Sequence, residues 1–194
     1  MKKLSILLVL LIGIGISIQS FSQDVTELSL KDAVTGKTVS VASQLSGKGL
    51  ILVFHSLDCP FAKMYEGRIK ALRSKYQGQG FNFILVNPEV KGSEEEQTAL
   101  RAYIDQSGLN MSYLMDQDQA WVKYFKISKI PEVIFLTKSD SGVEISYRGA
   151  IDNNPQAESS VSERYLDKAI DQILKGEKPV ASQVRAMGCN VRTY

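Results

Sequence analysis

The chain has 194 residues, 44% of them hydrophobic and 23% charged, with a formal net charge of +2. That length and balance describe one ordinary soluble domain with room for a targeting segment, large enough to bury a core without staples. The +2 excess equals the two lysines at Lys2 and Lys3, so the rest of the chain is neutral overall and nucleic acid is excluded as a natural partner.

Residues 1–22 read as a signal peptide. A short basic start is followed by an apolar run over residues 4–18, and small residues at Ser20 and Ser22 fit cleavage before Gln23. An apolar run of about 15 residues is short for a membrane span, which needs ~20. The expectation is therefore a periplasmic or secreted protein with no stable membrane insertion after cleavage. The remainder divides into a globular domain at 23–178 and a tail at 179–194.

Residues 25–30 read as a short strand, with a turn at 34–37 and a strand at 38–41 pairing back. Residues 49–54, Gly-Leu-Ile-Leu-Val-Phe, form a continuous apolar run of the kind that is covered on both faces. A helix is predicted over 59–76 and a second buried strand over 81–86. Ser93 and Glu96 form a capping box that opens a helix running to about residue 106. A brief strand at 112–115 and a short helix at 117–125 follow, with Trp121 and Phe125 as core. The strand at 132–136 turns through Ser141-Gly142 into a strand at 144–148. A polar turn region at 151–160 leads to an amphipathic helix at 162–174. Strands alternating with helices and ending in a hairpin predict an α/β fold, a central mixed β-sheet flanked by helices.

Only two cysteines occur, Cys59 and Cys189. Two cysteines in a domain of this size are not a staple framework; they read as a functional pair or as two unrelated thiols. Cys59 stands where a buried strand gives way to a helix. A helix N-terminus presents free N–H groups and partial positive charge, which favour thiolate over thiol. Pro60 suits the first helical turn, Lys63 adds positive charge, and Asp58 opposes it or caps the helix. The competing reading of Cys59 is a small buried apolar residue. His55, the only histidine, either tunes the thiolate or points away from it. Arg148 reads as a site residue or as a solvated hairpin arginine, and Glu94, Glu95 and Glu96 as a surface helix start.

Four segments carry a resemblance. The Ser56-x-x-Cys59-Pro60 turn after a strand resembles the redoxin, or AhpC/TSA (peroxiredoxin-like), branch of the thioredoxin-like superfamily. Ile130-Pro131-Glu132-Val133 resembles that superfamily's cis-proline loop. Tyr147-Arg148-Gly149-Ala150-Ile151-Asp152-Asn153 and Gly188-Cys189-Asn190-Val191-Arg192 are similar to two motifs of one redoxin subfamily. The resemblance spans residues 25–192. It implies a thioredoxin-like fold and an oxidoreductase acting on protein or small-molecule disulfides or on peroxides, served by a reducing partner the sequence does not name. No cofactor and no resident metal are expected. The implied catalytic residues are Cys59, Cys189, Ser56 and Pro131.

The chain departs from both parent patterns. Ser56 takes the first position of a thioredoxin-type Cys-x-x-Cys turn, so no dithiol exists within the turn. Ser56 matches the peroxiredoxin pattern, but Leu52 replaces the proline four residues earlier and Pro131 stands where peroxiredoxins carry an arginine. These departures favour disulfides over peroxides as substrates. Cys189 is the only internal candidate to resolve an intermediate on Cys59. A bridge requires Cα atoms within ~7 Å. Such a bridge is open to a catalytic reading or to a structural one, and a Cu(I) site using both sulfurs with His55 or Met187 is a third alternative.

Overall fold

A computed structural model describes residues 24–193; the leader expected over residues 1–22 lies outside them. In chain order the elements are β1 (Ser29–Asp32), β2 (Thr38–Ser40), α1 (Val41–Gln44), β3 (Gly49–Phe54), α2 (Pro60–Tyr76), β4 (Phe81–Asn87), α3 (Glu94–Ser107), β5 (Tyr113–Met115), α4 (Ala120–Phe125), β6 (Lys129–Ile130), β7 (Glu132–Ser139), β8 (Gly142–Gly149), α5 (Tyr165–Leu174), β9 (Gln183–Val184) and β10 (Cys189–Asn190). Eight strands form one mixed sheet in the order β2-β1-β5-β4-β3-β7-β8-β9, and β10 pairs separately with β6. The central strand β3 runs parallel to β4 and antiparallel to β7.

The apolar run of β3 is buried along its whole length, because alternate side chains feed opposite cores. Ile51 and Val53 join Tyr65, Ile69 and Tyr76 of α2, Leu100 and Ile104 of α3, and Leu166 and Ile170 of α5. Leu50, Leu52 and Phe54 join Val41 of α1 and Trp121, Val122 and Phe125 of α4 on the other face. The result is a sheet between two helical layers.

Several boundaries differ from the sequence expectation, each for a local polar reason. Residues 25–27 form a 3-10 turn rather than a strand, because the Asp24 carboxylate accepts the Thr26 N–H; β1 begins only at Ser29. The helix expected from residue 117 begins at Ala120. Gln119 sits in the left-handed region at φ 53°, and Asp116 takes the N–H groups of Trp121 and Val122. The helix expected from residue 162 begins at Tyr165, since the Asn153 side-chain oxygen accepts the N–H groups of Ser162 and Glu163. The capping box of Ser93 and Glu96 forms as expected, and α3 runs to Ser107. The two-residue strands β6, β9 and β10 carry no periodic pattern and were not foreseen.

The Tyr-Arg-Gly-x-Ile-Asp-Asn stretch holds layers together. Asp152, almost fully buried, accepts from Arg68 at 2.7 Å and Tyr65 at 2.9 Å, both on α2. The Tyr147 hydroxyl donates to the Ala150 carbonyl. Gly149 has φ 122°, and a Cβ there would fall 1.6 Å from the Val184 carbonyl oxygen. Only glycine lets β9 lie against β8 in this register, and β9 starts the tail on its way back across the molecule.

Candidate functional site

Cys59 caps α2 with no side-chain hydrogen bond to the first turn, and Pro60 opens the helix. The free N–H groups of that turn face the cysteine end, as the sequence implied. Asp58 does not cap the helix; its carboxylate instead receives Arg192 at 2.6 Å. Lys63 lies over the Tyr103 ring, 5.8 Å from its centroid.

Cys59 is bonded to Cys189, with Cα atoms 6.0 Å apart across a sequence separation of 130. The tail reaches Cys59 as a strand. β10 pairs antiparallel with β6, setting Cys189 opposite Ile130 and Asn190 opposite Lys129. The Val191 N–H donates to the Ser128 carbonyl at 3.2 Å. The Ile130–Pro131 bond immediately after β6 is cis, in keeping with the resemblance.

Cys59 is buried at 1% exposure, and Cys189 is the less buried residue of the pair. The Cys59 Sγ lies 3.2 Å from the Ile130 carbonyl oxygen. With the disulfide formed no S–H exists to donate, so this is a packing contact. In the dithiol state the same carbonyl favours S–H, working against the helix N-terminus.

Ser56 stands in the turn but is committed elsewhere. Its hydroxyl donates to Glu89 at 2.6 Å and accepts the Asp58 N–H at 3.2 Å. Burial raises the Glu89 pKa, but hydrogen bonds from Arg192 and Ser56 outweigh it and hold the carboxyl below its usual value. A crevice of about 120 Å³ beside the turn is lined by Ser56, Asp58, Asn87, Glu89, Val90 and Leu100.

His55 is fully buried. Its Nδ1 is 2.7 Å from the Tyr113 hydroxyl and its Nε2 is 3.2 Å from Glu66; Tyr103 also donates to Glu66. Burial raises the Glu66 pKa, but these two partners more than compensate and lower it. His55 thus serves a buried polar cluster. Of the sulfurs and nitrogens named for Cu(I), both cysteine sulfurs are joined to each other here and both His55 nitrogens have protein partners. Among the described residues no group of three His, Cys, Asp or Glu side chains is placed to hold a metal ion.

Arg148 is partly buried, and its partners lie at the end of α4 and the start of β7 rather than at the sulfurs. It donates to the Phe125 carbonyl at 3.0 Å and to Glu132 at 3.1 Å, while Glu132 accepts the N–H groups of Ser128 and Lys129. This network fixes the loop that presents β6.

Three further residues hold the tail. Gln119 donates to the carbonyls of Pro88 and Arg192, Lys129 donates to the Asn190 side chain at 2.6 Å, and Glu89 receives both the backbone N–H and the guanidinium of Arg192. Nothing in the sequence marks Gln119 or Glu89, because neither lies within a motif; Arg192 was visible only as the end of the Gly-Cys motif.

Gly188 has a steric role. A Cβ there would sit 2.0 Å from the Ile130 carbonyl oxygen, closer than real Cβ contacts come. Gly188→Ala is therefore expected to push the tail off β6 and leave thiols unpaired. Thiol titration after mild oxidation should find close to two free thiols per chain, where the parent has none; full closure in the variant would contradict this role.

Over 106 residues the chain is 24% identical to the thiol-disulfide oxidoreductase ResA of Halalkalibacterium halodurans, covering 55% of this chain. The chain matches 57% of the length of that curated relative. An uncharacterized conserved protein from Geobacillus kaustophilus superposes with a TM-score of 0.78 at 20% identity, over 89% of this chain and 91% of that one. A thioredoxin-like protein in its oxidized form superposes with a TM-score of 0.56 at 16% identity, over 77% and 97% of the two chains. The fold is thus thioredoxin-like. The AhpC/TSA family model matches residues 21–148, from before β1 through the cysteine turn and the cis-proline loop to Arg148, and the chain belongs to that family.

Proposed function

We propose that this protein is a thiol–disulfide oxidoreductase in which Cys59 is the reactive thiol and Cys189 the resolving thiol. The observation that carries the reading is where the disulfide lies: it joins a helix-start cysteine to a strand paired on the residue preceding a cis-proline. The partial match to a thiol-disulfide oxidoreductase supports the same reading.

The cycle begins from the dithiol. The Cys59 thiolate attacks one sulfur of a substrate disulfide; a Cys59–substrate disulfide forms and the other substrate sulfur leaves as thiolate. The Cys189 thiolate then attacks the Cys59 sulfur, and the second substrate thiolate leaves. Two protein thiols are oxidised and one substrate disulfide is reduced to two thiols. An external dithiol restores the starting state by attacking the sulfur of Cys189, the less buried residue of the pair, which expels Cys59, the leaving group at the helix N-terminus. Pro131 positions the Ile130 backbone, and Ser56 supports the turn through Glu89. Peroxide reduction is less well supported, because the Ser56 hydroxyl is spent on Glu89 and Arg148 on Glu132.

Export completes the proposal. The segment over residues 1–22 reads as a leader, and a cysteine pair that cycles through a disulfide suits a periplasmic or secreted setting.

Equilibration against glutathione buffers tests the reading. A redox-active pair exchanges within the buffer range, with a potential above about −300 mV. A disulfide that remains closed at every glutathione ratio would make it a clasp and sink the catalytic role.

A further inference from the structure

The edge of β6 already holds a ligand, the chain's own tail. The tail is bound the way a docked peptide is bound: by backbone pairing, with alternate side chains entering distinct environments. Cys189 meets Cys59. Asn190 meets Lys129. Val191 packs against the cluster of Cys59, Ala62 and Ile130 and also against the apolar layer that contains Trp121 and Phe125. Arg192 places its guanidinium 2.6 Å from Asp58 and 2.9 Å from Glu89, while Gln119 takes its carbonyl.

The Glu89 side chain is only 5% exposed. A buried carboxylate that loses its cation is costly, so the site is built for a positive group at this distance from the sulfur. Gln119 supports the same point: a buried non-glycine residue at φ 53° directs its amide at the segment that bears that positive group.

We infer that the tail is a stand-in for the substrate, and that the site selects extended polypeptides whose reactive cysteine is followed by an apolar residue at the second position and by arginine or lysine at the third. This deepens the thiol–disulfide reading and rests on it for the chemistry, though not for the binding. Tail and substrate use the same backbone edge, the same apolar seat and the same two carboxylates, so they exclude one another. In the disulfide state the tail is covalently held and the groove is closed. Reduction frees the tail to leave, and a substrate then enters in the same direction along β6. Once the Cys59–substrate disulfide has formed, the returning tail displaces the substrate backbone as Cys189 attacks. The resolving step and product release thereby become one event.

The probes are labelled pentapeptides carrying serine in place of the cysteine, so that binding is read without chemistry: Gly-Ser-Asn-Val-Arg, the same peptide ending in glutamate, and the same peptide with aspartate in place of valine. Each is titrated into the reduced and the oxidised full chain. The arginine peptide is expected to bind the reduced chain at least about tenfold more tightly than either altered peptide. It should not bind the oxidised chain, and Glu89→Gln should weaken it about tenfold. Equal affinity for the arginine and glutamate peptides, or equal binding to oxidised and reduced protein, would overturn the inference. In a parallel arm the cysteine version, as a mixed disulfide with thionitrobenzoate, reports exchange by release of the coloured thiol. Arginine-dependent binding with no exchange faster than free cysteine would remove the oxidoreductase reading and leave the docking site standing. Fast exchange with no sequence preference would do the reverse.

Discussion

Replacing Cys59 by serine is expected to abolish reduction of protein disulfides, by at least about a thousandfold, because a hydroxyl ionises far less readily than a thiol and is much the poorer nucleophile toward sulfur. Replacing Cys189 by serine should act differently. Attack by Cys59 still occurs, but no internal thiol resolves the product, so a Cys59–substrate disulfide accumulates. Mass spectrometry of Cys189→Ser after mixing with a disulfide-bonded protein should find the adduct at Cys59 in about one copy per chain. The reasoning is geometric: with Ser56 in the first turn position, the nearest second sulfur is the one that the tail delivers within 6.0 Å Cα to Cα. Undiminished turnover by Cys189→Ser would mean that an external thiol resolves the intermediate and that the tail serves another purpose.

The second large effect concerns stability. Asp152 and Arg68 form an ion pair at 2.7 Å with side-chain exposures of 2% and 4%. Arg68 also donates to the carbonyls of Asn154 and Pro155, and Tyr65 adds its hydroxyl to Asp152. Asp152→Ala strands a guanidinium in the interior, which costs about 3–5 kcal/mol. For a chain of this size that lowers Tm by roughly 10 °C. Removing both partners, as Asp152→Leu with Arg68→Met, should recover much of the loss, since an apolar pair of similar volume needs no compensation. Urea unfolding of the oxidised proteins measures both. A single variant within about 0.5 kcal/mol of the parent would show that Arg68 finds another partner. The Tyr65 phenol titrates well above its ordinary range, chiefly through burial and then through Asp152, so removing Asp152 should also bring that titration down.

Much of the scaffold is legible in the sequence. The largely apolar strands at residues 49–54, 81–86 and 132–136, the capping box at Ser93 and the amphipathic last helix carry strong one-dimensional signals, because each depends on local sequence alone. The errors cluster at helix starts. There a single polar side chain, Asp116 or Asn153, takes backbone donors that the periodic pattern would assign to a longer helix. Asp58 shows a related effect. Of its two readings, opposing the thiolate or capping α2, the cap does not form, because Arg192 arrives from 134 residues away and takes the carboxylate.

The same division applies to the cysteine site. Cys59 at a strand-to-helix turn, Ser56 in place of a second turn cysteine, and Cys189 as the single remaining thiol are facts of sequence order, since they follow from local chemistry and from composition. That the two sulfurs meet, that they meet against Ile130, and that Glu89, Gln119 and Asp58 receive the tail were decided by tertiary structure alone. The physical reason is that β6 and β10 are two residues each. Strands so short bury too little to leave a hydrophobic period, and their pairing exists only because the cis-proline loop, anchored by Arg148 and Glu132, holds an unpaired backbone edge where the tail can reach it.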